Sequence, residues 1–203
     1  MSKKPIIVFE GIEGTGKSHH IKNVAKYLKK KNRKFLQIRE PGGSKNSEII
    51  RKLILNNKST FNRYTDLLLY LSARSENIEL IRKNIGKTII LIDRFSDSTI
   101  AYQHYGMGID LKFIKNINNF LLKDIDIDFT FLNTVNQKNM KKRLIKRKNL
   151  NRYDKFNYNF YNEVQKGFLK ILRKNKKKYL KIDSNLSIQH NEKLILNKIN
   201  DLI

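Results

Sequence analysis

FEGIEGTGKS, residues 9–18, is the stretch whose reading decides the fold. Gly11 is followed after four residues by Gly16-Lys17-Ser18, which fits the P-loop pattern G-x-x-x-x-G-K-[ST]. Such a loop wraps a polyphosphate in backbone N–H groups, and glycine allows both the unusual dihedrals and the close approach of phosphate oxygens. The context agrees with the motif. Upstream, Pro5 to Phe9 reads as a short buried strand without polar alternation. Downstream, Ile21, Val24, Ala25 and Leu28 recur at helical spacing, so the loop joins a strand to a helix N-terminus, whose partial positive charge suits phosphate. The expected nucleotide-binding residues are therefore Gly11, Ile12, Glu13, Gly14, Thr15, Gly16, Lys17 and Ser18. Lys17 reaches the outer phosphates in this reading, and the Ser18 hydroxyl ligates Mg²⁺.

The chain of 203 residues suits one domain with a real core. Cysteine is absent, so neither disulfides nor thiolate metal sites can form, which suits a reducing cytoplasm. No apolar run has membrane-spanning length, and the first residues enter a core strand directly, so a soluble intracellular protein without a membrane partner is expected. Lys and Arg number 43 against 18 Asp and Glu, a net charge of +25. That balance raises nucleic acid as a partner. However, lysine is spread along the whole chain, Lys141-Lys142 and Lys174 to Lys178 included, so the charge reads as a solvated lysine-rich surface that attracts nucleotides in passing.

Beyond the first helix, Lys34 to Ile38 reads as a strand ending in the turn Arg39-Glu40-Pro41-Gly42-Gly43. Helices are predicted from Ser47 to Leu55 and from about Asp66 to Asn84. Thr88 to Ile92 is a nearly pure apolar strand, as in a parallel sheet covered on both faces. Phe129 to Leu132 and Tyr179 to Ile182 are the later strand candidates. Strands alternating with helices indicate an α/β fold, a P-loop-type parallel sheet flanked by helices on both faces in a single domain. A basic segment, about residues 141–153, starts with a helical pattern and then dissolves at Asn149-Leu150-Asn151.

The apolar strand before Asp93-Arg94 supplies the usual partner of a P-loop, because parallel strand ends deliver side chains to one crevice. Asp93 is expected to orient Mg²⁺ beside Ser18, and Arg94 to bind a second phosphate. Arg39, Arg74 and Arg94 are candidates to converge on that phosphate.

In these residues the chain resembles the thymidylate kinase family. The blocks that carry the resemblance are FEGIEGTGKS, REPGG from Arg39, YLSAR from Tyr70, DRFSDSTIAYQ from Asp93 and FYNEVQKGFLKI from Phe160. The resemblance implies phosphoryl transfer from ATP to dTMP with Mg²⁺, and a homodimer. It implies that Tyr70 stacks on thymine, with Arg74 facing the base and Thr99 near its polar edge. It places Tyr102 by the sugar, where a ribose 2′-hydroxyl would be crowded, and Gln103 in the same pocket. Arg94 and Arg39 would hold the monophosphate. It makes the basic segment a mobile lid over ATP. Because Glu13 is followed by Gly14 rather than arginine, the chain is similar to the branch whose lid supplies the catalytic cations, here Arg143, Arg147 and Arg152, with Lys146 and Lys148 as further candidates. Two stretches depart from the family pattern: His104 to Gly108, and Asn133 where aspartate is common. The rival readings are a kinase for another monophosphate, such as dUMP, and a basic P-loop ATPase that binds nucleic acid.

Overall fold

Alternate residues of β1 (Ile6–Glu10) point to opposite faces of a sheet, and both sets are apolar: Ile7 and Phe9 pack on one face, Ile6 and Val8 on the other. The same holds for β3 (Ile89–Asp93), where Ile89 and Leu91 oppose Ile90 and Ile92. A strand buried on both faces needs helices on both sides. In the computed structural model, which describes residues 4–147 and 150–203, α1 (Lys17–Lys30) and α8 (Ile188–Leu202) cover one face with Ile21, Val24, Leu28, Ile195 and Ile199. On the other face α3 (Arg63–Arg82) contributes Ile78 and Ile81. Each fully buried side chain of this size contributes about 1.5–3 kcal/mol, which makes the sheet the stiff base of the molecule.

The sheet has five strands, all parallel, in the order β2-β3-β1-β4-β5, with β2 at Phe35–Arg39, β4 at Phe129–Thr134 and β5 at Tyr179–Asp183. The chain departs from β1 toward one edge and returns to build the other, so a crevice opens at the carboxyl ends of the strands beside β1. Register aligns the exits: Phe9 and Arg39 both pair with Asp93. The P-loop, Asp93-Arg94 and the Arg39–Gly43 turn therefore leave the sheet at one level.

The predicted strands are all present, but each runs on into polar residues, Glu10, Arg39, Asp93, Thr134 and Asp183, because the ladder continues past the apolar run. Helix α2 (Lys45–Leu55) starts two residues before Ser47, where the Ser44 side chain accepts from the Ser47 N–H at 3.2 Å. Helix α3 starts at Arg63 because Asn62 caps it, accepting from the Tyr64 and Thr65 N–H groups. Helices α5 (Leu111–Leu121) and α8 had no sequence prediction. Helix α6 (Gln137–Ile145) opens the basic segment, a 3₁₀ turn at Arg152–Lys155 closes it, and α7 (Tyr158–Lys174) follows.

Candidate active site

Two glycines shape the loop between β1 and α1. Gly11 has φ 134°, and a Cβ there would lie 2.1 Å from the Asn133 carbonyl oxygen of β4, so no side chain fits. Gly16, at φ 82°, turns the chain into α1 and leaves the first N–H groups of the helix facing the crevice. Lys17 folds back over the loop, donating to the carbonyls of Gly11 at 2.7 Å and Ile12 at 3.0 Å. Burial, together with the like charge of Arg94, pushes its ammonium down to about 8. The Ser18 hydroxyl donates to Asp93 Oδ2 at 3.3 Å, which brings two oxygen donors to one point, as a hard divalent cation requires. Among the described residues no cluster of three or more His, Asp or Glu could hold a metal alone, so a cation here would complete its shell with substrate oxygens.

Arg94 sits in the left-handed region at φ 66°, uncommon for a side chain with a Cβ, and its N–H donates to Phe9 O at 3.0 Å. The strain aims the guanidinium back at the loop. It donates to Gly11 O at 2.7 Å and Glu13 Oε1 at 2.8 Å, and it lies 5.1 Å from the centre of the Tyr102 ring. Tyr102 donates its hydroxyl to the other oxygen of Glu13. Burial resists ionisation of Glu13, but Arg94, Lys17 and the Tyr102 hydroxyl outweigh it and hold the carboxyl below its usual range.

Behind the loop, Glu10 is fully buried and accepts from the Phe95 and Ser98 N–H groups at 2.8 and 3.1 Å and from the Ser98 hydroxyl at 2.6 Å. It ties the end of β1 to the start of α4 (Ser96–Thr99), which continues as a π-helix over Ile100–Gly106. Thr99, Tyr102 and Gln103 lie on this segment, and π-helical turns recur at functional sites.

The loop, Arg39, Asp93, Arg94, Arg143 and Arg147 line a cleft of about 550 Å³. It leads into a narrow pocket of about 30 Å³ lined by Tyr70, Arg74, Arg94, Thr99, Tyr102 and Gln103. Glu13, Glu40, Tyr70, Arg94 and Tyr153 line both. The lining of the narrow pocket includes all the sequence-predicted substrate-binding residues except Arg39, which stays at the cleft rim, its side chain 55% exposed and paired with Glu48. Arg74 is buried: its Nε and Nη2 each lie 2.8 Å from Glu40 Oε2, and Nη1 donates to Asn118 at 2.7 Å. Its charge is balanced by Glu40, so the expected convergence of Arg39, Arg74 and Arg94 on one phosphate leaves Arg94 as the arginine pinned against the loop.

The lid arginines part company. Arg143 donates to Gly14 O at 2.8 Å and Ser184 O at 2.6 Å, spanning from α6 to the loop. Arg147 lines the cleft and pairs with Asp154 inside the lid. Arg152 does not line the cleft: it pairs with buried Asp66 on α3 and stacks over Phe61 at 5.6 Å. Lys146 is exposed at the end of α6, and Lys148 lies outside the described residues. Glu40, Arg51 and Tyr153 also line the cleft, and Asn118 and Asp66 brace its walls, though none of these was among the residues expected from the sequence. Of these, Asp66 carried a signal, as a lone acid heading the apolar run Leu67-Leu68-Leu69. The departure at Asn133 is buried, with no partner for either end of its amide.

Comparison with known proteins agrees with this geometry. The family model described as thymidylate kinase matches residues 9–195. A thymidylate kinase of Thermosipho africanus is 38% identical over 91% of this chain and 92% of its own length. One from Chlorobium luteolum is 33% identical over 97% of each. The crystal structure of thymidylate kinase from Ehrlichia chaffeensis superposes with a TM-score of 0.78 at 28% identity, covering 96% of this chain and 98% of that one. With the loop, the Asp93-Arg94 pair and the aromatic pocket joined in one cleft, and with matches of this extent, the chain belongs to the thymidylate kinase family.

Proposed function

We propose that this chain transfers the γ-phosphoryl group of ATP to the 5′-phosphate of dTMP, giving dTDP and ADP. A phosphate oxygen of dTMP bonds to the γ-phosphorus while the bond from that phosphorus to the β,γ-bridging oxygen breaks, and ADP takes the electron pair. The observation that carries the reading is the continuity of the P-loop cleft with the aromatic pocket, both walled by Glu13, Tyr70, Arg94 and Tyr153.

In-line phosphoryl transfer asks the protein for position and positive charge rather than covalent help. The P-loop N–H groups and Lys17 hold the donor phosphates, and Arg94 holds the acceptor phosphate at the junction of the two spaces. Mg²⁺, held by Ser18 and Asp93, would neutralise charge on the donor phosphates. Arg143 and Arg147 supply further cations from the lid, in place of the arginine that Gly14 lacks. Tyr70 stacks on the base, Thr99, Gln103 and Arg74 meet its edge, and Tyr102 limits space beside the sugar. Ile49, Leu53, Tyr64 and Leu68 are exposed on α2 and α3, which supports the homodimer proposed for the chain. The cysteine-free sequence suits the cytoplasm proposed as its location.

The test is product identification: purified chain with ATP, Mg²⁺ and dTMP should form dTDP, and Lys17→Ala and Arg94→Ala should each abolish most of it. Absence of dTDP from the wild-type chain contradicts the reading.

A further inference from the structure

Asp66 is a carboxylate on α3, 1% exposed, that the phosphate chemistry leaves unused. Its Oδ1 accepts from Arg152. Its Oδ2 accepts from the Tyr153 hydroxyl and, at 3.4 Å, from the Gln103 amide. These partners come from two places: Gln103 from the wall of the acceptor pocket, and Arg152 with Tyr153 from the far end of the lid. The near end of the lid holds the donor loop through Arg143 and Gly14.

Tyr153 extends the connection. It is buried, meets Tyr70 edge-on at 5.8 Å and Tyr102 at 5.9 Å, and lines both the cleft and the narrow pocket. Burial and the neighbouring Tyr70 hold its phenol well above the usual range, so it stays a donor to Asp66. A base entering the pocket presses on Tyr70, Tyr102 and Gln103, all of which touch Tyr153 or Asp66. If the lid lifts, Arg152 and Tyr153 leave with it, and Asp66 loses its cation and its phenol donor together, a costly break of a buried pair. A lid anchored on a buried ion pair is thus either docked, with the pocket walls set, or released, with the pocket opened to water.

We propose that Asp66 is the positioning residue that couples occupancy of the acceptor pocket to docking of the lid over the donor. Arg152, in this account, acts as the lid's anchor rather than as a cation at the phosphates. The inference rests on the reading that the two spaces hold dTMP and ATP. Coupling is reciprocal, so each ligand should tighten the other by the same factor.

Calorimetric titration of a non-hydrolysable ATP analogue, with and without saturating dTMP, reads that factor. For the wild-type chain it should be about tenfold, within the usual range of coupling between sites. Asp66→Asn and Arg152→Gln should each bring it to within about twofold of unity, and their combination should lose no more than either alone, as for two residues acting as one unit. Arg152→Lys should restore most of it. In each variant kcat should fall further than the affinity for dTMP alone, which a purely structural role would not produce. Should Asp66→Asn fail to fold, Arg152→Gln and Tyr153→Phe, both on the lid, make the same test. Wild-type coupling in the variants, or none in the wild type, overturns the proposal while leaving dTMP phosphorylation intact. A wild-type chain that does not bind dTMP overturns the functional reading and this coupling together.

Discussion

Lys17 donates to the carbonyls of its own loop, Gly11 and Ile12, and is therefore placed before any phosphate arrives. A cation held in this way acts most where charge accumulates, on the moving phosphoryl group and the bridging oxygen. Lys17→Ala should lower kcat by far more than it raises KM for ATP, and a steady-state comparison in which only KM changed would contradict this. Arg143, reaching Gly14 from the lid, should behave similarly: Arg143→Ala should cost on the order of 10³-fold in kcat, the lower end of what a phosphoryl-transfer arginine supplies, with dTMP affinity nearly unchanged by calorimetry. Turnover like that of the wild type would remove Arg143 from the catalytic set. At this scale the sequence was most informative where chemistry fixes residue types at fixed spacing, as in Gly11 to Ser18 and Asp93-Arg94. It was least informative where a side chain's meaning depends on its partner. Arg74 could be placed at the pocket, but Glu40 and Asn118, which hold its guanidinium, lie 34 and 44 residues away. Arg152 could be named as a lid cation, yet its partner Asp66 is 86 residues away, and only the fold brings them together.

Elements were legible where both faces of a strand are covered, because β1 and β3 then read as unbroken apolar runs. Their ends were not, because the ladder carries on through buried Glu10 and half-buried Asp93, which a polarity criterion excludes. Helix α5 escaped notice because its buried positions include Asn118, a polar residue whose burial only Arg74 explains. Glu10 shows what such a polar end does. Burial, with the nearby Asp97 carboxyl, pushes its carboxyl up to about 7, whereas an unfolded glutamate loses its proton near 4.5. The folded state thus binds the proton more tightly, and this stabilising contribution is complete below pH 4.5 and lost as pH rises through 7. Glu10→Gln keeps the shape and removes the titration. The Tm of the wild-type chain should therefore fall relative to the variant between about pH 4.5 and 7, and parallel melting curves would contradict it. Where β1 meets the loop, Gly11→Ala must drive a Cβ into the Asn133 carbonyl, so ATP binding should be lost even if the sheet persists by circular dichroism. Wild-type affinity in that variant would show that the seam can open.

Across the whole molecule, a charge of +25 surrounds a cleft built for phosphates, and the positive field favours arrival of anionic substrates without naming them. Salt should accordingly weaken nucleotide binding without changing the order of preference. The exposed stripe on α2 and α3 belongs to this scale too. The wild-type chain should run as the proposed dimer in light-scattering chromatography and the chain with Leu53 and Leu68 replaced by glutamate as a monomer; a monomeric wild type would contradict the dimer, and a dimeric variant would place its contact elsewhere. In the proposed reading, choice of acceptor falls to the narrow pocket, whose walls Tyr70, Thr99, Tyr102 and Gln103 must part for any base and less for a pyrimidine than for a purine. One methyl in such a site is worth about 1–3 kcal/mol, so dUMP should follow dTMP at roughly 10–200-fold lower efficiency. The measurement that tests the central claim most directly is kcat/KM with ATP for dTMP, dUMP, dCMP, AMP and GMP side by side. The account predicts that dTMP is highest, dUMP next and the purines at the bottom; a purine monophosphate at the top would contradict it.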